Sequence, residues 1–502
     1  MYKLIKVRMS EMRLAIIGMG TAGVSLLKEL VKYKEFKQME IDVYDNPKNM
    51  GQGVPFQNDS DQLLINLPAS QMSLNLNNER EFYEWYQEQS VFKFSNPEYL
   101  PRFIFGHYMK DYLETYHNHY SNIHMIKEEV LEVFIESNIG DTHVKYVVCT
   151  SENLEKRRRY DIVFLTIGTM SYHDPYHLKG TPGYIKTPYP TYDTLNEVDS
   201  TDRIAIIGTG LASLDVIRFV TAHHPNLPIT VTSRKGHLPS VRGDMPEIQF
   251  KYLTPENFNE IKKAYFGNVP LEEALTLFKK DCEYYDIPVE KLVHRRQGDP
   301  ILDLTYDLQH ADVLGRFQSI LELTKENLNW IWNSFSRQDQ KIFLEKYQSI
   351  LKENSNPMPP RTAKLIIDHI ENGQIEIKKG LEDVTYDGQQ FCFKYEDDFK
   401  AIDKFDIVIN ATGSKSHLSE LDQDDQLILN LENRQVVQAH PLGGIQIIPE
   451  TNQIISPRYG TLQNMFALGQ VTNGINQSRN GVMMIVKQAV SVVEKLLDTK
   501  HD

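Results

Sequence analysis

The pattern of apolar and polar residues repeats one arrangement near the start of each half of the chain. An apolar run in "RLAIIGMGTAGVSLL", beginning at Arg13, leads into glycines and then into apolar residues at helical spacing. The stretch "RIAIIGTGLASLDVI", beginning at Arg203, has the same order of features. Short apolar runs that end at glycine are typical of buried parallel strands. We therefore predict a strand, a tight turn and a helix at both places.

The rest of the pattern indicates alternating strands and helices, with a Gly- and Pro-rich loop at residues 51–76. Further strands are predicted after Gly373 and at residues 39–45, 130–136, 144–150, 160–169, 228–235, 405–414, 443–449 and 464–470. Helices are predicted at residues 22–33, 79–89, 104–117 and 481–497, and from Thr362 to the turn at Gly373. The region from about 244 to 358 is mostly helical. It is predicted to be an insertion, because the strand pattern resumes only after it.

These elements predict an α/β fold with two Rossmann-like dinucleotide-binding domains, the second inserted in the first. A chain of 502 residues is too long for one ordinary core. We expect the first domain to be discontinuous, comprising residues 12–195 and 421–502. The second domain is expected at 200–420 and carries the helical insertion.

Composition and charge exclude several classes of partner and location. The formal net charge of −14 disfavours nucleic acid and anionic lipid as partners, because both are polyanions. The basic run "KRRRY" at residues 156–160 is interpreted as a solvated turn. Three widely spaced cysteines without a C-x-x-C argue against a disulfide framework or a zinc site. No signal peptide or membrane-spanning stretch is evident, so we expect a cytoplasmic protein.

The first glycine turn, Gly18 to Gly23, has the G-x-G-x-x-G spacing of a dinucleotide-binding strand–turn–helix. Its glycines allow a tight turn, close approach of a pyrophosphate and close helix packing, and the helix N-terminus attracts the phosphates. The predicted contacts are Gly18, Gly20, Thr21, Ala22, Gly23 and Asp45. Asp45 ends the next strand, where a carboxylate accepts hydrogen bonds from a ribose 2′-hydroxyl. FAD fits this site; the alternative is a glycine turn without a ligand.

The second glycine turn, Gly208 to Ser213, differs at the end of its following strand. Ser233, Arg234 and Lys235 stand where the first unit has an acid. An Arg–Lys pair with a hydroxyl would bind the 2′-phosphate that a carboxylate repels, which favours NADPH. The predicted contacts are Gly208, Gly210, Leu211, Ala212, Ser213, Ser233, Arg234, Lys235 and Gly413. The alternative is that the two cations merely cap the sheet edge.

Three further motifs support a pair of nucleotide sites. "TIGT" (166–169) and "NATGS" (410–414) each follow a strand headed by Asp-Ile-Val. Near the C-terminus, a strand ending at Gly469 precedes a helix starting near Gly481, an arrangement that offers backbone N–H groups to a flavin ring. The FAD contacts predicted from these motifs are Thr166, Gly168, Gly469, Gln470, Gly481 and Val482.

This order of motifs resembles that of flavoproteins with two dinucleotide domains. More closely, the chain resembles FAD/NAD(P)-binding proteins related to the lysine and ornithine N-hydroxylating monooxygenases. "GQGVPF" (51–56), "LLINLPASQMSL" (63–74) and "YLPRFIFGHYMKDYL" (99–113) carry that resemblance. It implies flavin contacts at Ser70, Gln71, Met72 and Ser73, whereas the alternative is a polar loop that packs on itself. Asn66 and Val130 are also among the predicted FAD contacts.

The chain departs from related patterns at two places. Gln470 stands where an acid normally bonds the flavin ribityl chain, although its carbonyl can still accept a hydrogen bond. "LKGTPGYIKTPYP" does not match the F-x-G-x-x-x-H fingerprint of flavin-containing and Baeyer–Villiger monooxygenases. The lack of a C-x-x-C argues against a disulfide reductase of the glutathione-reductase type.

The leading hypothesis is an FAD-dependent, NADPH-utilising oxidoreductase, a monooxygenase acting on a small molecule. The alternatives are an NAD(P)H–flavin reductase or oxidase, and a non-catalytic redox sensor or complex subunit. No Ser–His–Asp or metal constellation is evident, so the catalytic residues and the substrate stay unassigned. His237 and Arg242, after the second strand, could contact NADPH or substrate, or could be structural. The oligomeric state is open, with a homodimer one possibility.

Overall fold

The computed structural model describes residues 12–136, 144–151, 157–196, 198–396, 402–478 and 481–498. By contacts within the chain it divides into two compact units. The first unit holds the described residues up to Asp61, Leu67–Ser171, and those from Ser414 onward. The second unit holds Gln62–Asn66 and Tyr172–Gly413.

Strands supply the layers of both units. In chain order they are β1 (Met12–Ile17), β2 (Met39–Tyr44), β3 (Ile123–Ile126), β4 (Val130–Glu136), β5 (Lys145–Thr150), β6 (Arg158–Tyr160), β7 (Ile162–Leu165), β8 (Tyr184–Ile185), β9 (Ile204–Ile207), β10 (Ile229–Thr232), β11 (Ile375–Lys378), β12 (Leu381–Tyr386), β13 (Phe391–Tyr395), β14 (Asp403–Phe405), β15 (Ile407–Asn410), β16 (Gln453–Ser456) and β17 (Gly460–Ala467).

Helices flank these strands and form the predicted insertion. In chain order they are α1 (Thr21–Leu30), α2 (Glu81–Glu88), α3 (Arg102–His119), α4 (Thr191–Thr194), α5 (Leu211–His223), α6 (Pro255–Ala264), α7 (Leu271–Tyr284), α8 (Val289–Val293), α9 (Pro300–Gln309), α10 (Ala311–Glu326), α11 (Leu328–Trp332), α12 (Arg337–Lys346), α13 (Gln348–Ser355), α14 (Pro360–Glu371), α15 (Gln426–Asn433) and α16 (Val482–Asp498). Short 3₁₀ helices lie at Lys34–Gln38, Val54–Phe56, Ala69–Gln71, Leu418–Glu420, Gln423–Asp425 and Gln470–Thr472.

The first unit is built on a six-stranded sheet of order β16-β17-β7-β1-β2-β3. The pairs β17–β7, β7–β1, β1–β2 and β2–β3 are parallel, and β16 is antiparallel to β17. The inner strands are apolar on both faces because helices cover the sheet, with α1 packing against α16 and α3. A small antiparallel sheet of order β4-β5-β6 completes this unit.

The second unit is built on a five-stranded sheet of order β11-β10-β9-β15-β8, whose pairs are all parallel. Its core joins β9, β10 and β15 to α5 and α14. A separate core, which includes Cys282, Leu314, Phe317 and Ile320, holds the helices of the insertion together. A three-stranded antiparallel sheet, β12-β13-β14, packs beside the parallel one.

The predicted fold class is confirmed, and most predicted elements are present within one to three residues of their bounds. The strand predicted at 443–449 is wrong: this stretch forms only isolated bridges, Ala439 to Ile445 and Ile447 to Ile454. Its apolar residues are buried against the end of β17 instead of in a ladder. The connector after residue 171 contains β8, which pairs with β15 and so lies in the second unit.

The basic run at 156–160 is not simply a solvated turn. Lys156 lies outside the described residues, but Arg158–Tyr160 forms β6. The Arg158 guanidinium pairs with the buried Asp42 carboxylate, and Arg159 pairs with Glu136. Within the described ranges, no helix is both long enough and apolar enough to cross a membrane.

Candidate dinucleotide-binding sites

The first glycine turn joins β1 to α1 in a conformation that requires glycine. Gly18 has φ +100°, and its N–H donates to the carbonyl of Tyr44 at 2.8 Å. A Cβ on Gly18 would lie 2.4 Å from the Thr166 carbonyl oxygen, and one on Gly23 would lie 2.1 Å from the Gly18 carbonyl oxygen. These contacts hold the turn tightly against β7 and the first turn of the helix.

Asp45 directly follows β2, and its carboxylate is fixed by the turn. One oxygen accepts from the Met19 N–H at 2.6 Å, and the other accepts from the Asn46 N–H at 2.8 Å. Burial raises the pKa of Asp45 to about 6, although the hydrogen bonds from Met19 and Asn46 lower it. Each carboxylate oxygen accepts two or more hydrogen bonds, so this geometry leaves acceptor capacity for a hydroxyl.

The predicted contacts at the other strand ends meet the first glycine turn. Because β17, β7, β1 and β2 run parallel, their carboxyl ends share one edge of the sheet. The Thr166 hydroxyl donates to the Gly18 carbonyl at 2.6 Å. A Cβ on Gly469 would lie 3.9 Å from the Cβ of Ala22. Gly18, Asp45, Thr166 and Gly469 are therefore brought together.

The N-terminus of α1 suits an anionic ligand. Among the described residues, no side chain caps this helix, and its first turn carries no acidic residue. Its first N–H groups and positive dipole end are thus not neutralised by a capping side chain or by an acid of the helix itself. Gly20 approaches the chain itself, since a Cβ there would lie 3.3 Å from the Cα of Gly53. The uncapped helix end beside the Asp45 carboxylate is a donor and acceptor set that fits a diphosphate and a ribose.

The segment Ser70–Ser73, which the resemblance implies contacts the flavin, is partly buried. Met72 and Ser73 are buried, Ser70 is half-buried and Gln71 is exposed. The Ser73 hydroxyl accepts from the Asn75 N–H at 2.9 Å. The first two side chains of the segment, Ser70 and Gln71, are therefore accessible, and the last two, Met72 and Ser73, are buried.

The remaining predicted FAD contacts lie at scattered places. Gly168 has φ +76° and Gln470 is exposed at the start of a 3₁₀ helix, while Gly481 immediately precedes Val482, the first residue of α16. Val130 is buried at the start of β4, opposite Thr150. Asn66 lies in the second unit, where its carbonyl accepts from the Arg242 guanidinium at 3.1 Å. The structure does not group Asn66 with the residues of the first glycine turn.

The second glycine turn reproduces the backbone of the first. Gly208 has φ +114°, and its N–H donates to the Thr232 carbonyl at 2.8 Å. A Cβ on Gly208 would lie 2.5 Å from the Ala411 carbonyl oxygen. Ser213, in the place of the third glycine, is buried and donates to the Gly210 carbonyl at 2.6 Å. Leu211 and Ala212 begin α5.

The space around this turn is open. Apart from the adjacent residues of the chain, no described atom lies within 4 Å of a Cβ built on Gly210 or on Gly413. Gly413 also has φ +92°, which only glycine adopts readily. Both glycines therefore leave room in which a ligand can approach the backbone.

The end of β10 carries a hydroxyl pair and two free cations. The Ser233 and Thr209 hydroxyls lie 3.0 Å apart, and the Gly236 N–H donates to Ser233 Oγ at 2.9 Å. Arg234 and Lys235 are exposed, and in the described part of the chain neither forms a direct ion pair with an acid, although Lys235 interacts electrostatically with Glu353. Cations that merely completed the sheet edge would be expected to pair with its acids.

His237 and Arg242 are held by the protein. His237 Nδ1 lies 3.7 Å from a Glu353 carboxylate oxygen. The Arg242 guanidinium donates to Met245 Sδ at 2.9 Å as well as to the Asn66 carbonyl. These contacts favour the structural alternative for both residues.

Three neighbours of the turns escaped the sequence analysis. Gly53 packs on Gly20, Thr209 orients Ser233, and Gln488 Oε1 accepts from the Gly469 N–H at 3.4 Å. Gly53 lies in "GQGVPF", which points to flavoproteins only through the resemblance and not through its spacing. A serine or threonine beside a glycine turn, or a glutamine inside a helix, carries no pattern that predicts these contacts.

Residues 15–170 match the model of a family described as FAD-NAD(P)-binding. No curated protein matches the chain. Among solved structures, it is similar to L-lysine 6-monooxygenase from Pseudomonas syringae, with 12% identity, a TM-score of 0.60 and coverage of 97% of this chain and 99% of that one. It is also similar to an ornithine N-hydroxylase from Kutzneria sp. 744, with 11% identity, a TM-score of 0.58 and coverage of 97% and 99%.

A third similar structure is a bacillithiol disulfide reductase from Staphylococcus aureus, with 12% identity, a TM-score of 0.52 and coverage of 98% and 100%. Likeness at these identities concerns the fold. The predicted resemblance to flavoproteins related to the lysine and ornithine N-hydroxylases is confirmed at that level. The family match covers residues 15–170, most of which lie in the first unit.

Proposed function

We propose that the chain is an FAD-dependent oxidoreductase that takes electrons from NADPH and acts as a monooxygenase on a small molecule. The single observation that carries the proposal is the equivalence of the two glycine turns. In each, the first glycine N–H donates at 2.8 Å to the last residue of the following strand. The next residue is Asp45 in one case and Ser233, followed by two free cations, in the other.

In the first unit, we assign the turn to FAD. The first turn of α1 would donate its N–H groups to the diphosphate, and Asp45 would accept from the adenosine ribose. Thr166 and Gly469, at neighbouring strand ends, would border the same ligand. The segment from Ser70 to Ser73 would contact the flavin ring, as the resemblance implies.

In the second unit, we assign the turn to NADPH. Gly210 and Gly413 leave open space for the diphosphate at the N-terminus of α5. Arg234 and Lys235 would neutralise the 2′-phosphate, and Ser233 would bond it through its hydroxyl. A 2′-hydroxyl would make fewer such contacts, so NADPH should bind more tightly than NADH.

The chain's own groups bind and orient, and the cofactor performs the redox step. When bound, FAD accepts an electron pair from NADPH and passes it to oxygen or to an organic acceptor. We assign no catalytic residue. Several solved relatives act on amines, namely ornithine, lysine and cadaverine, and these are the first substrates to test.

The deciding experiment begins with the visible spectrum of the purified protein after incubation with FAD. Anaerobic NADPH should bleach the flavin absorbance, and NADH at the same concentration should do so much more slowly. Absence of bound flavin would overturn the proposal. Equal bleaching by both nucleotides would overturn the assignment of Arg234 and Lys235.

Oxygen is then readmitted, and the peroxide released per NADPH consumed is measured with and without each amine. A monooxygenase should release less peroxide when its substrate is present, and a hydroxylated amine should accumulate. Constant release of one peroxide per NADPH would instead identify an oxidase. A cytoplasmic location and a homodimer stay predictions, which fractionation and sedimentation would test.

A further inference from the structure

A buried polar network in the first unit surrounds the backbone of Leu74, directly after the segment Ser70–Ser73. The Lys28 ammonium, on α1, donates to the Leu74 carbonyl at 3.0 Å. The Leu74 N–H donates to the hydroxyl of Tyr108, on α3, at 3.2 Å. Leu74, Lys28 and Tyr108 are all buried. Both polar backbone groups of one residue are therefore satisfied by side chains from two helices.

The acid that organises these side chains is Glu81, at the start of α2. Its carboxylate accepts from the Tyr108 hydroxyl at 2.6 Å, from the Tyr112 hydroxyl and from the Asn75 amide. The Lys28 ammonium also lies 5.2 Å from the centre of the Tyr112 ring. The network thus ties α1, α2 and α3 to one point on the loop.

The protonation states agree with this geometry. Burial raises the pKa of Glu81, but the hydrogen bonds from Tyr108, Tyr112 and Asn75 outweigh it, so the pKa lies below its ordinary value. Burial, followed by the hydrogen bond to Glu81, raises the pKa of Tyr108 well above its ordinary value. Tyr108 therefore stays a phenol that donates to Glu81 and accepts from Leu74.

Burying the Lys28 ammonium to bind the Leu74 carbonyl carries an unfavourable desolvation free energy. Burial lowers the pKa of Lys28, an effect that nearby Glu81 opposes, and an apolar residue would fill the same space without that cost. This unfavourable burial is consistent with a role in fixing the position of the Leu74 carbonyl, and not with a role in stability alone. The residue held is two positions from Met72 and one from Ser73.

We propose that Lys28 and Tyr108 are positioning residues that fix Leu74 and thereby aim the segment Ser70–Ser73 at the flavin. The inference rests on the proposed function, because that function assigns the segment to the flavin. Neither residue touches the reacting atoms; each acts through the backbone that it holds. Loss of either contact should change the flavin environment more than it changes global stability.

The test compares Tyr108→Phe with Tyr112→Phe in the flavin-bound protein. Both variants remove one hydroxyl from Glu81, but only Tyr108→Phe removes the acceptor of the Leu74 N–H. Tyr108→Phe should speed hydrogen exchange at the Leu74 amide about tenfold and raise the flavin Kd by a similar factor. It should also alter the visible circular dichroism of the flavin. Tyr112→Phe should change the exchange rate and the Kd less than about twofold.

A second pair separates position from charge. Lys28→Met removes the donor to Leu74, whereas Lys32→Met removes a nearby exposed cation that pairs with the buried Glu29. Only Lys28→Met should alter the flavin spectrum. Thermal melting of each variant identifies any that fails to fold, and Tyr108→Phe then carries the test alone.

The outcomes distinguish this inference from the function on which it rests. If the wild-type protein binds no flavin, the proposed function fails and the inference fails with it. If the wild type binds flavin but Tyr108→Phe and Tyr112→Phe give the same spectrum and Kd, the inference alone is overturned. Faster exchange at Leu74 without a change in the flavin spectrum would also overturn it, because the network would then be merely structural.

Discussion

The two glycine turns share a backbone but differ in what surrounds it. At the first turn, other parts of the chain lie close to the backbone: Gly53 packs on Gly20, and the Asp45 carboxylate accepts from the Met19 N–H. At the second, the space beside Gly210 is empty of described atoms, and Arg234 and Lys235 extend unpaired. A closed, internally bonded site suits a resident cofactor, whereas an open site with free cations suits one that exchanges in each turnover. The comparison therefore gives a physical reason for assigning FAD to one turn and NADPH to the other.

The largest expected effect comes from the first glycine of either turn. Gly18→Ala and Gly208→Ala each place a Cβ about 2.5 Å or less from a carbonyl oxygen at a positive φ. Each should lower the free energy of unfolding by about 3 kcal/mol or more. Thermal or denaturant unfolding measures this loss.

Gly168→Ala is the matched control for these variants, since its φ is also positive but no described atom lies within 4 Å of the added Cβ. Gly168→Ala should lower the free energy of unfolding by about 1 kcal/mol. Equal losses for all three glycines would show that strain alone, and not contact with the neighbouring strand, governs the turns.

The next largest effect should separate the two nucleotides. Arg234→Ala combined with Lys235→Ala removes two charged partners of a 2′-phosphate, each worth about 1.5–3 kcal/mol. The KM for NADPH should rise at least about tenfold, and the KM for NADH should change little. Steady-state kinetics with both nucleotides measures the difference.

Lys394→Ala serves as a control for this double variant, because Lys394 pairs with Glu382 at the surface of the same unit. A similar rise for NADPH and NADH would contradict the assignment, since only NADPH carries the phosphate.

A third prediction concerns pH and the first turn. In the proposed FAD site the ionised Asp45 carboxylate would accept from the ribose, and burial raises the pKa of Asp45 to about 6. FAD affinity should therefore be constant above pH 7 and fall as the pH drops through 6, by up to about tenfold per pH unit. Flavin fluorescence during titration at each pH measures the Kd.

Asp45→Asn removes this titration and should bind FAD weakly but independently of pH between 5 and 8. It conserves the shape of the side chain, but its NH2 group replaces one of the two oxygens that accept from Met19 and Asn46, so thermal melting of the variant must accompany the titration. If the FAD affinity of the wild-type protein does not change between pH 5 and 8, Asp45 does not bind the ribose.

The smallest effect has opposite signs at the two turns and tests the comparison most directly. Gly20→Ala brings a Cβ within 3.3 Å of Gly53 and should destabilise the protein by about 1 kcal/mol. Gly210→Ala meets no described atom within 4 Å and should stabilise it by about 0.5 kcal/mol, through the unfolded state. Unfolding in the absence of nucleotides measures both changes.

Gly210→Ala should nevertheless raise the KM for NADPH, because the added methyl group would occupy the space proposed for the diphosphate. If Gly20→Ala and Gly210→Ala shift stability in the same direction, the two sites do not differ in the way described.

Sequence patterns predicted both turns because their requirements are local. A turn at φ +100° or +114° requires glycine, and a parallel strand requires a short apolar run. Both requirements can be seen within a few residues of sequence. The small strand β8 and the bridges of residues 443–449 were not predicted correctly, because pairing with distant segments decides them. The network around Leu74 joins residues as far apart in the chain as Lys28 and Tyr112, so no spacing rule predicts it.

The five residues from Gln62 to Asn66 belong by contact to the second unit, although the chain on either side of them lies in the first. Within that unit, the Arg218 guanidinium donates to the Gln62 carbonyl at 2.7 Å, and Arg242 donates to that of Asn66. The chain consequently passes between the units four times rather than twice. If residues 172–413 were exchanged as one block for those of another protein, residues 62–66 would remain from the original chain. They would then face a second unit without the matching Arg218 and Arg242. A chimera that keeps these contacts must therefore exchange residues 62–66 together with residues 172–413.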